Sequence, residues 1–239
     1  MATVRLDKFV SSAMAITRSE AHTLIRRGYV TVDGKPEKDI GKKLDPDKNR
    51  VACRGEDISY SEYHYFMLNK PDGYICSTED MRDPTIMELL PDNIKHYDIF
   101  PVGRLDKDTF GLVILTDNGA LAHYLLSPKR HVYKKYYLET DLPMTDEDII
   151  RLKNGVDIGE KNITLPATLE ISDIPTKAHI TICEGKFHQI KRMLKVCGKE
   201  VVYLERVEFD EIKLDRALKR GEVRELTPDE IASLLKNMA

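Results

Sequence analysis

The 239-residue sequence has no long hydrophobic run. No apolar stretch approaches the roughly 20 residues that cross a bilayer, so no membrane-spanning helix is predicted. Residues 1–7 contain no apolar segment of the kind found in signal peptides, and we therefore expect a cytoplasmic protein. Charged residues make up 32% and hydrophobic residues 41% of the chain, as in ordinary soluble globular proteins.

Cysteine pairs and metal-binding histidine spacings are missing as well. The four cysteines, Cys53, Cys76, Cys183 and Cys197, are far apart and form no C-x-x-C pair, which favours reduced and mostly buried thiols. The seven histidines include no H-x-x-x-H or H-E-x-x-H spacing, so no metal site is predicted.

Positive charge is concentrated in the N-terminal part of the chain. The net charge is −3, yet residues 1–55 carry 12 Lys and Arg against 7 Asp and Glu, and the remaining residues have a net charge of −8. A basic head on an acidic body indicates that the head contacts a polyanion, although an ordinary solvated surface could carry the same excess.

The N-terminal segment has the pattern of a small folded unit. Apolar residues with helical spacing begin at Leu6, and a capping box at Thr17–Glu20 starts a second helix. The run 29–32, followed by Asp33-Gly34, predicts a strand and a tight turn. The exposed cations of this segment are predicted to be Arg5, Lys8, Arg18, Arg26 and Arg27. Their clustering, rather than any single one, indicates a polyanion-binding surface.

After the polar segment 56–64, strands and helices follow without regular β-α-β alternation. A strand followed by a turn is predicted at 65–74. Further strands are predicted at 112–115, 133–139 and 178–183, and helices at 85–90, at 121–126, from Gly185 and from Pro228. This mixture predicts an α+β fold. We expect a head domain at 1–58, a linker at 59–64 and a second domain at 65–239.

Three charged residues, Arg104, Asp106 and Asp108, stand just before the most apolar strand. In an extended segment residues i and i+2 share a face, so the three side chains could converge. A carboxylate between cations stays ionised, which is the form that a nucleophile or a base needs. From the spacing alone, a simple ion pair between Asp106 and Arg104 is the plainer interpretation.

Two further segments could share a site with this loop. Residues 133–137 mix Lys with Tyr, and such mixtures suit a base stacked on a ring while cations hold phosphates. The helix predicted to open at Gly185 could bind a phosphate through its free N–H groups. A purely structural role for Tyr136, His188 or Lys191 is compatible with the same pattern.

Together these motifs resemble the bacterial pseudouridine synthases of the small-subunit rRNA type, the RsuA family. The motifs in question are Gly103-Arg104-Leu105-Asp106 with Thr109, Gly111-Leu112 and Thr116-Asp117-Asn118-Gly119; Asn69-Lys70-Pro71 with Gly73-Tyr74; Asp83-Pro84-Thr85; Lys134-x-Tyr136; and the stretches 184–193 and 221–227. The N-terminal segment, with Arg5-Leu6-Asp7-Lys8 and Gly28-x-Val30-x-Val32-Asp33-Gly34, resembles an S4 RNA-binding domain. One departure is Asp210, where relatives often have Gly, and it puts a C-terminal turn in question.

The resemblance implies a mixed, mainly antiparallel sheet flanked by helices and loops, preceded by a small S4-like α/β domain. It implies that Asp106 is the catalytic aspartate, that Tyr136 packs against the target base, and that Lys191 pairs with Asp106. Many relatives have Arg in place of this lysine. The residues implied to contact substrate are Arg104, Lys134, Gly185, Lys186, His188, Gln189 and Arg192.

The implied reaction is isomerisation of a uridine in 16S rRNA, the small-subunit RNA, to pseudouridine. The bond from N1 to C1′ breaks, the uracil turns, and C5 bonds to C1′. Because this reaction involves neither redox change nor hydrolysis, we expect no cofactor and no metal. The expected partner is ribosomal RNA or a subunit assembly particle. We expect the protein to act as a monomer and not to bind a membrane.

Other functions stay open at this point. Enzymes that modify 23S rRNA, the large-subunit RNA, share the motifs but often carry long basic tails, so the negative net charge and the end of the sequence at Ala239 favour the small subunit. A non-catalytic RNA-binding or ribosome-assembly factor would be expected to lack Asp106, Tyr136 or Lys191. A tRNA synthetase that carries an S4 domain is disfavoured by the lack of a P-loop or HIGH signature.

Overall fold

The computed structural model describes residues 3–236 and residue 238, and the chain divides into two compact units. One unit comprises the chain up to residue 64 together with residues 91–99, and the other comprises residues 65–90 and the chain from 100 onward. The domain limits at 58 and 65 stay predictions. The grouping of residues 91–99 with the first unit is not part of that predicted division.

The first unit combines two helices with short antiparallel strands. Its elements are β1 (Val4–Arg5), α1 (Leu6–Ala13), α2 (Arg18–Arg26), β2 (Val30–Val32), β3 (Lys35–Pro36), β4 (Lys43–Leu44), β5 (Val51–Cys53) and β6 (Glu56–Ile58). Strand β1 pairs with β4, and the other four form a sheet in the order β3-β2-β5-β6. The core forms where the apolar faces of the two helices, with Phe9 of α1 and Ile25 of α2, pack against the sheet.

Local sequence signals set the ends of these elements. Thr17 and Glu20 form the predicted capping box, in which the Glu20 N–H donates to the Thr17 hydroxyl and the Glu20 carboxylate accepts from the Thr17 N–H. Asp33 and Gly34 have φ values of 51° and 78°, as the two-residue turn between β2 and β3 requires. Both predictions are confirmed.

The second unit is built on a nine-stranded sheet. Its elements are β7 (Tyr65–Lys70), β8 (Phe100–Pro101), β9 (Phe110–Thr116), α3 (Gly119–Leu126), β10 (Lys134–Thr140), α4 (Asp146–Lys153), β11 (Thr168–Ile171), β12 (Lys177–Ile182), α5 (Gln189–Val196), β13 (Val201–Phe209), β14 (Ile212–Lys213), β15 (Val223–Glu225) and α6 (Pro228–Leu235), with 3-10 turns at Ile86–Leu89 and Pro128–Arg130. The main strand order is β11-β12-β10-β13-β9-β7-β15, with β14 on β13 and β8 on β9. The pairing of β13 with β9 is parallel and the other described pairings are antiparallel. The predicted α+β fold with a mainly antiparallel sheet is therefore confirmed.

Strand β9, which follows the charged loop, is deeply buried. Its residues 112–115 are 0% exposed, as the apolar run predicts. At the start of the strand, Gly111 has a φ of 101°, and a Cβ there would lie 2.3 Å from the carbonyl oxygen of Arg206 in β13. A side chain at this position would separate the two strands. Gly111 therefore fixes where the charged loop meets the sheet.

The helix predicted from Gly185 begins four residues later, at Gln189. The prediction of its start is wrong because His188 has left-handed backbone angles, φ 47° and ψ 36°, which helical residues do not adopt. The predicted apolar stripe is correct, since Ile190, Met193 and Leu194 are buried. In the described part of the chain, no helix is long and apolar enough to span a membrane.

The turn between β13 and β14 contains the residue that departs from the family pattern. Asp210 has a φ of 54°, and burial raises the pKa of its carboxyl group. We expect Asp210→Gly to raise the free energy of unfolding by about 0.5–1 kcal/mol, because Gly adopts positive φ without the Cβ clash. Urea denaturation measures the change. Asp173→Gly, in an exposed loop without positive φ, is the matched control and should destabilise the protein; a destabilised Asp210→Gly variant would contradict the prediction.

Candidate active site

A buried lysine holds the charged loop between β8 and β9. The Lys70 side chain is fully buried at the end of β7, and its Nζ donates to the main-chain oxygens of Pro71 (3.0 Å), Lys107 (3.0 Å) and Thr109 (2.8 Å). Burial lowers the pKa of this lysine. Because two of its acceptors lie just after Asp106, the ammonium group fixes the backbone on that side of the carboxylate.

The backbone before Asp106 is fixed as well. The Leu105 N–H donates to the buried Cys76 Sγ at 3.3 Å. The Thr109 N–H donates to the Asp106 carbonyl oxygen at 3.0 Å, which makes the loop turn at the aspartate instead of running extended. The Asp106 carboxylate therefore projects from a backbone that is held on both sides.

Lys191 on helix α5 joins the two aspartates of the loop. Its Nζ lies 3.3 Å from Asp106 Oδ2 and 2.5 Å from Asp108 Oδ1. His188, just before the helix, places its Nε2 3.7 Å from the other oxygen of Asp106. The structure thus brings Asp106 and Lys191 together across 85 residues of sequence.

Arg104 does not join this cluster. Its side chain is exposed, and neither Asp106 nor Asp108 accepts a hydrogen bond from it in the described part of the chain. The expected convergence of the three charges is wrong for Arg104, because the i, i+2 argument assumes an extended backbone that this loop does not have. The plain ion pair between Arg104 and Asp106 is excluded for the same reason.

Tyr136 lies in the central strand β10, paired in register with Arg206 of β13. It is 7% exposed, and burial raises the pKa of its hydroxyl group, an effect that the Arg206 guanidinium opposes and the Asp106 carboxylate reinforces. The ring is positioned by the sheet, whereas the carboxylate is positioned by the loop.

Arg206 is a buried cation behind the tyrosine. Its side chain is 1% exposed, its Nε donates to the Leu112 carbonyl oxygen at 2.8 Å, and its guanidinium lies 4.9 Å from the ring centroid of Phe209. Its Nη2 has no hydrogen-bond partner among the described residues. A buried donor without a partner is costly to fold, which is typical of functional sites.

Burial and the same cation disfavour the charged form of Lys134, which lies two residues before Tyr136. Burial, with a contribution from the positive charge of Arg206, lowers the pKa of Lys134 to about 8. Its Nζ donates to the Val132 carbonyl oxygen at 3.0 Å and lies 5.6 Å from the ring centroid of Phe209. The charged Lys134 side chain therefore lowers the free energy of unfolding, because it is half-buried, has one backbone acceptor and lies close to an arginine.

We expect Lys134→Met to raise the free energy of unfolding at pH 7 by about 1–3 kcal/mol while lowering activity. The pKa of Lys134 is about 8 in the folded chain and 10.5 in the unfolded chain, so the unfolded state binds more protons between these values. Wild-type stability should therefore rise with pH from about 8 to 10.5, and the variant should lose this part of the rise. Urea denaturation across this pH range measures the effect; a variant less stable than wild type at pH 7 would contradict it.

The other predicted substrate contacts in the segment 184–192 are engaged in holding that segment together. Lys186 Nζ donates to the carbonyl oxygens of Asn162 and Ile163, both at 3.0 Å. Gln189 is buried, accepts from the Lys186 N–H at 2.9 Å and donates to Glu184 at 2.8 Å. The polar side chains that remain open around this loop are therefore fewer than the sequence indicates.

Arg192 is tied into the same segment. Its guanidinium donates to Glu160 (2.8 Å), to the Phe187 carbonyl oxygen (3.0 Å) and to the Ile158 carbonyl oxygen. Gly185 has no atom within 4 Å of where a Cβ would lie, so space does not require glycine there.

The sequence analysis gives no role to Lys70 or Arg206. The apolar run 65–68 just before Lys70, followed by Pro71, is the sequence signal that this lysine lies at the end of a buried strand. Arg206 has no comparable local signal, since its neighbours in β13 include Glu205 and Glu208.

Comparison with known proteins gives consistent matches. A model of the RNA pseudouridylate synthase family matches residues 64–195, and a model of the S4 domain matches residues 4–48. A Bacillus subtilis protein named uncharacterized RNA pseudouridine synthase YtzG is 44% identical over 231 residues, covering 95% of this chain and 97% of that protein. The Escherichia coli ribosomal small subunit pseudouridine synthase A is 40% identical over 234 residues, covering 97% of this chain and all of that protein.

A solved structure agrees with the sequence matches. The crystal structure of a pseudouridylate synthase superposes with a TM-score of 0.68 at 37% identity, covering 97% of this chain and 99% of that one.

Proposed function

The chain belongs to the RNA pseudouridylate synthase family, and on this premise we propose that it converts a uridine of small-subunit (16S) ribosomal RNA to pseudouridine with Asp106 as the catalytic carboxylate. The observation that carries the assignment of Asp106 is its placement: the carboxylate lies on a loop whose backbone is held on both sides, and it faces Lys191 and His188. The small subunit is favoured because near-full-length relatives are named for it.

The target uracil must leave its stack to reach a site of this kind. The ring of Tyr136 then packs against the uracil, and Asp106 either attacks C1′ or removes a proton from the ribose. Both routes need an ionised carboxylate, and Lys191 stabilises that charge as the N1–C1′ bond breaks. The uracil turns and C5 bonds to C1′. On the first route this breaks the bond between Asp106 and C1′, and on the second route Asp106 returns the proton to the ribose. The hydrogen of C5 leaves as a proton, and N1 takes up a proton.

The S4 domain would supply affinity for the RNA backbone. Of its five predicted contacts, Arg5 is held by Asp7 through two hydrogen bonds, at 3.1 and 2.9 Å. The remaining cations are exposed and form no ion pair with any described residue: Lys8, Arg18, Arg26 and Arg27. These four are free to bind phosphates. We expect the enzyme to act in the cytoplasm as a monomer on naked rRNA or on an assembly particle.

Removing two of these cations should weaken RNA binding in a salt-dependent way. For Arg26→Gln with Arg27→Gln, we expect the slope of log K against log salt concentration to fall by about 1.5, because two phosphate contacts are lost. Filter binding of small-subunit rRNA from 50 to 200 mM salt measures the slope. Arg50→Gln is the control, since Arg50 is already paired with Asp57 at 2.7 Å. An unchanged slope in the double variant would refute RNA binding by this surface.

Pseudouridine mapping tests the proposed substrate. Unmodified rRNA of both subunits, naked and in assembly particles, is incubated with wild-type protein or Asp106→Asn, labelled with carbodiimide and read by primer extension. We expect one new stop in small-subunit rRNA with wild type only. A stop confined to large-subunit rRNA would keep the proposed reaction but identify large-subunit rRNA as the substrate. Binding without any stop would favour a non-catalytic RNA-binding factor.

A further inference from the structure

Phe187 has a large aromatic side chain that is exposed to solvent and does not pack in the core. It is 71% exposed and lies in the loop that leads into α5. Single exposed apolar residues are ordinary on protein surfaces, and Ile150 of α4 is 61% exposed. Phe187 differs from these because of its position relative to Asp106 and because of how its loop is held.

The ring of Phe187 continues a short aromatic stack that starts beside the catalytic carboxylate. Its centroid lies 3.8 Å from that of His188, with 17° between the two ring planes. The His188 Nε2 is in turn 3.7 Å from Asp106 Oδ1. A nucleotide whose ribose meets Asp106 therefore has its neighbour along the strand close to the Phe187 ring.

The backbone of the loop that presents this ring is held on both sides of Phe187. Arg192 donates to the Phe187 carbonyl oxygen at 3.0 Å, and the next residue, His188, is held in the left-handed region at φ 47°. Lys186 is anchored on the preceding side by its hydrogen bonds to residues 162 and 163. A left-handed non-glycine residue costs about 1–2 kcal/mol and is kept only where the surroundings enforce it. The backbone that carries the exposed ring is thus held in place.

Exposed cations lie on α5, which follows the ring in sequence, and on the loop of Asp106. Lys195 is exposed and follows Lys191 by one helical turn, so both lie on the same side of α5. Arg104 is exposed on the loop of Asp106. Exposed aromatic rings among cations bind bases by stacking while the cations hold phosphates.

We propose that Phe187 is a stacking platform for the nucleobase next to the target uridine, holding the RNA strand in register while the uridine enters the site. This inference rests on the proposed function, and it adds a base-binding subsite outside the reacting centre. Any base can stack on the ring, and purines offer the larger face. The platform would act on binding of the RNA more than on the chemical step.

The test uses RNA oligonucleotides that span the mapped uridine and carry 2-aminopurine on its 5′ or its 3′ side. With wild type, we expect binding to quench one of the two probes. Phe187→Ala and Phe187→Leu should lose this quenching and raise KM about tenfold, with kcat reduced less than threefold, because one stacked base contributes about that factor. Phe187→Trp should restore both the quenching and the KM.

Ile150→Ala is the matched control, since it removes an equally exposed apolar side chain elsewhere in the same unit. It should leave KM unchanged. If wild type modifies the oligonucleotide but Phe187→Ala and Phe187→Leu keep wild-type KM and quenching, the platform is refuted and the proposed function stands. If wild type modifies neither oligonucleotide nor rRNA, the proposed function itself fails.

Discussion

Asp106→Asn should abolish turnover while the protein stays folded and still binds RNA. We expect the rate to fall by about 10⁴-fold or more, which corresponds to about 5 kcal/mol of transition-state stabilisation. The amide has the shape of the carboxylate but neither its negative charge nor its basicity, and the reaction needs both. The loop keeps its backbone contacts, since Lys70 and Cys76 bind main-chain atoms on either side of the substituted residue.

Release of tritium from RNA labelled at C5 of uridine measures the rate, because the new C5–C1′ bond displaces that hydrogen. Asp108→Asn is the matched control: it lies two residues away and shares Lys191, but its side chain is 68% exposed. It should lose less than about tenfold. Melting temperature and RNA affinity should match wild type in both variants. Substantial tritium release by Asp106→Asn would remove Asp106 from the chemistry.

Lys191→Gln should have the second largest effect, a loss of about 10²–10³-fold in kcat, as expected when one preorganised charge is removed from an active site. In the folded chain this ammonium group forms ion pairs with two carboxylates, at 3.3 and 2.5 Å, and so reduces the repulsion between them. Without it, Asp106 and Asp108 repel each other and Asp106 loses its orienting partner. Lys191→Arg should stay within about tenfold of wild type, because it keeps the charge.

A double variant separates neutralisation from a general structural defect. Lys191→Gln combined with Asp108→Asn removes the repulsion, so we expect it to be about tenfold more active than Lys191→Gln alone. Single-turnover tritium release at saturating RNA measures the rate of wild type, of Lys191→Gln, of Asp108→Asn and of the double variant. If Lys191→Gln stays within threefold of wild type, or if Asp108→Asn gives no rescue, Lys191 does not act as described.

Local sequence patterns predicted the elements that carry the site but not how they meet. The run 112–115 and the stripe of Ile190, Met193 and Leu194 identified a buried strand and an amphipathic helix, because burial leaves a periodic trace in sequence. The contact of Asp106 with Lys191 spans 85 residues and leaves no such trace. Only the resemblance to a family suggested it.

Two failures share one physical cause. The expected convergence of Arg104 with Asp106 and the helix start at Gly185 both assumed regular backbone. The loop turns at Asp106, where the Thr109 N–H donates to the Asp106 carbonyl oxygen, and His188 has a positive φ of 47°. A positive φ is predicted from sequence where a known turn signal stands, as at Asp33-Gly34, and no such signal stands at His188.

The most direct measurement is nucleoside analysis of small-subunit rRNA after incubation with the purified protein. We predict that digestion and chromatography with mass detection show a new nucleoside of the same mass as uridine, in an amount equal to the uridine lost, and that Asp106→Asn produces none. RNA that is bound by the protein but yields no isobaric nucleoside, or a product formed equally by Asp106→Asn, would contradict the account.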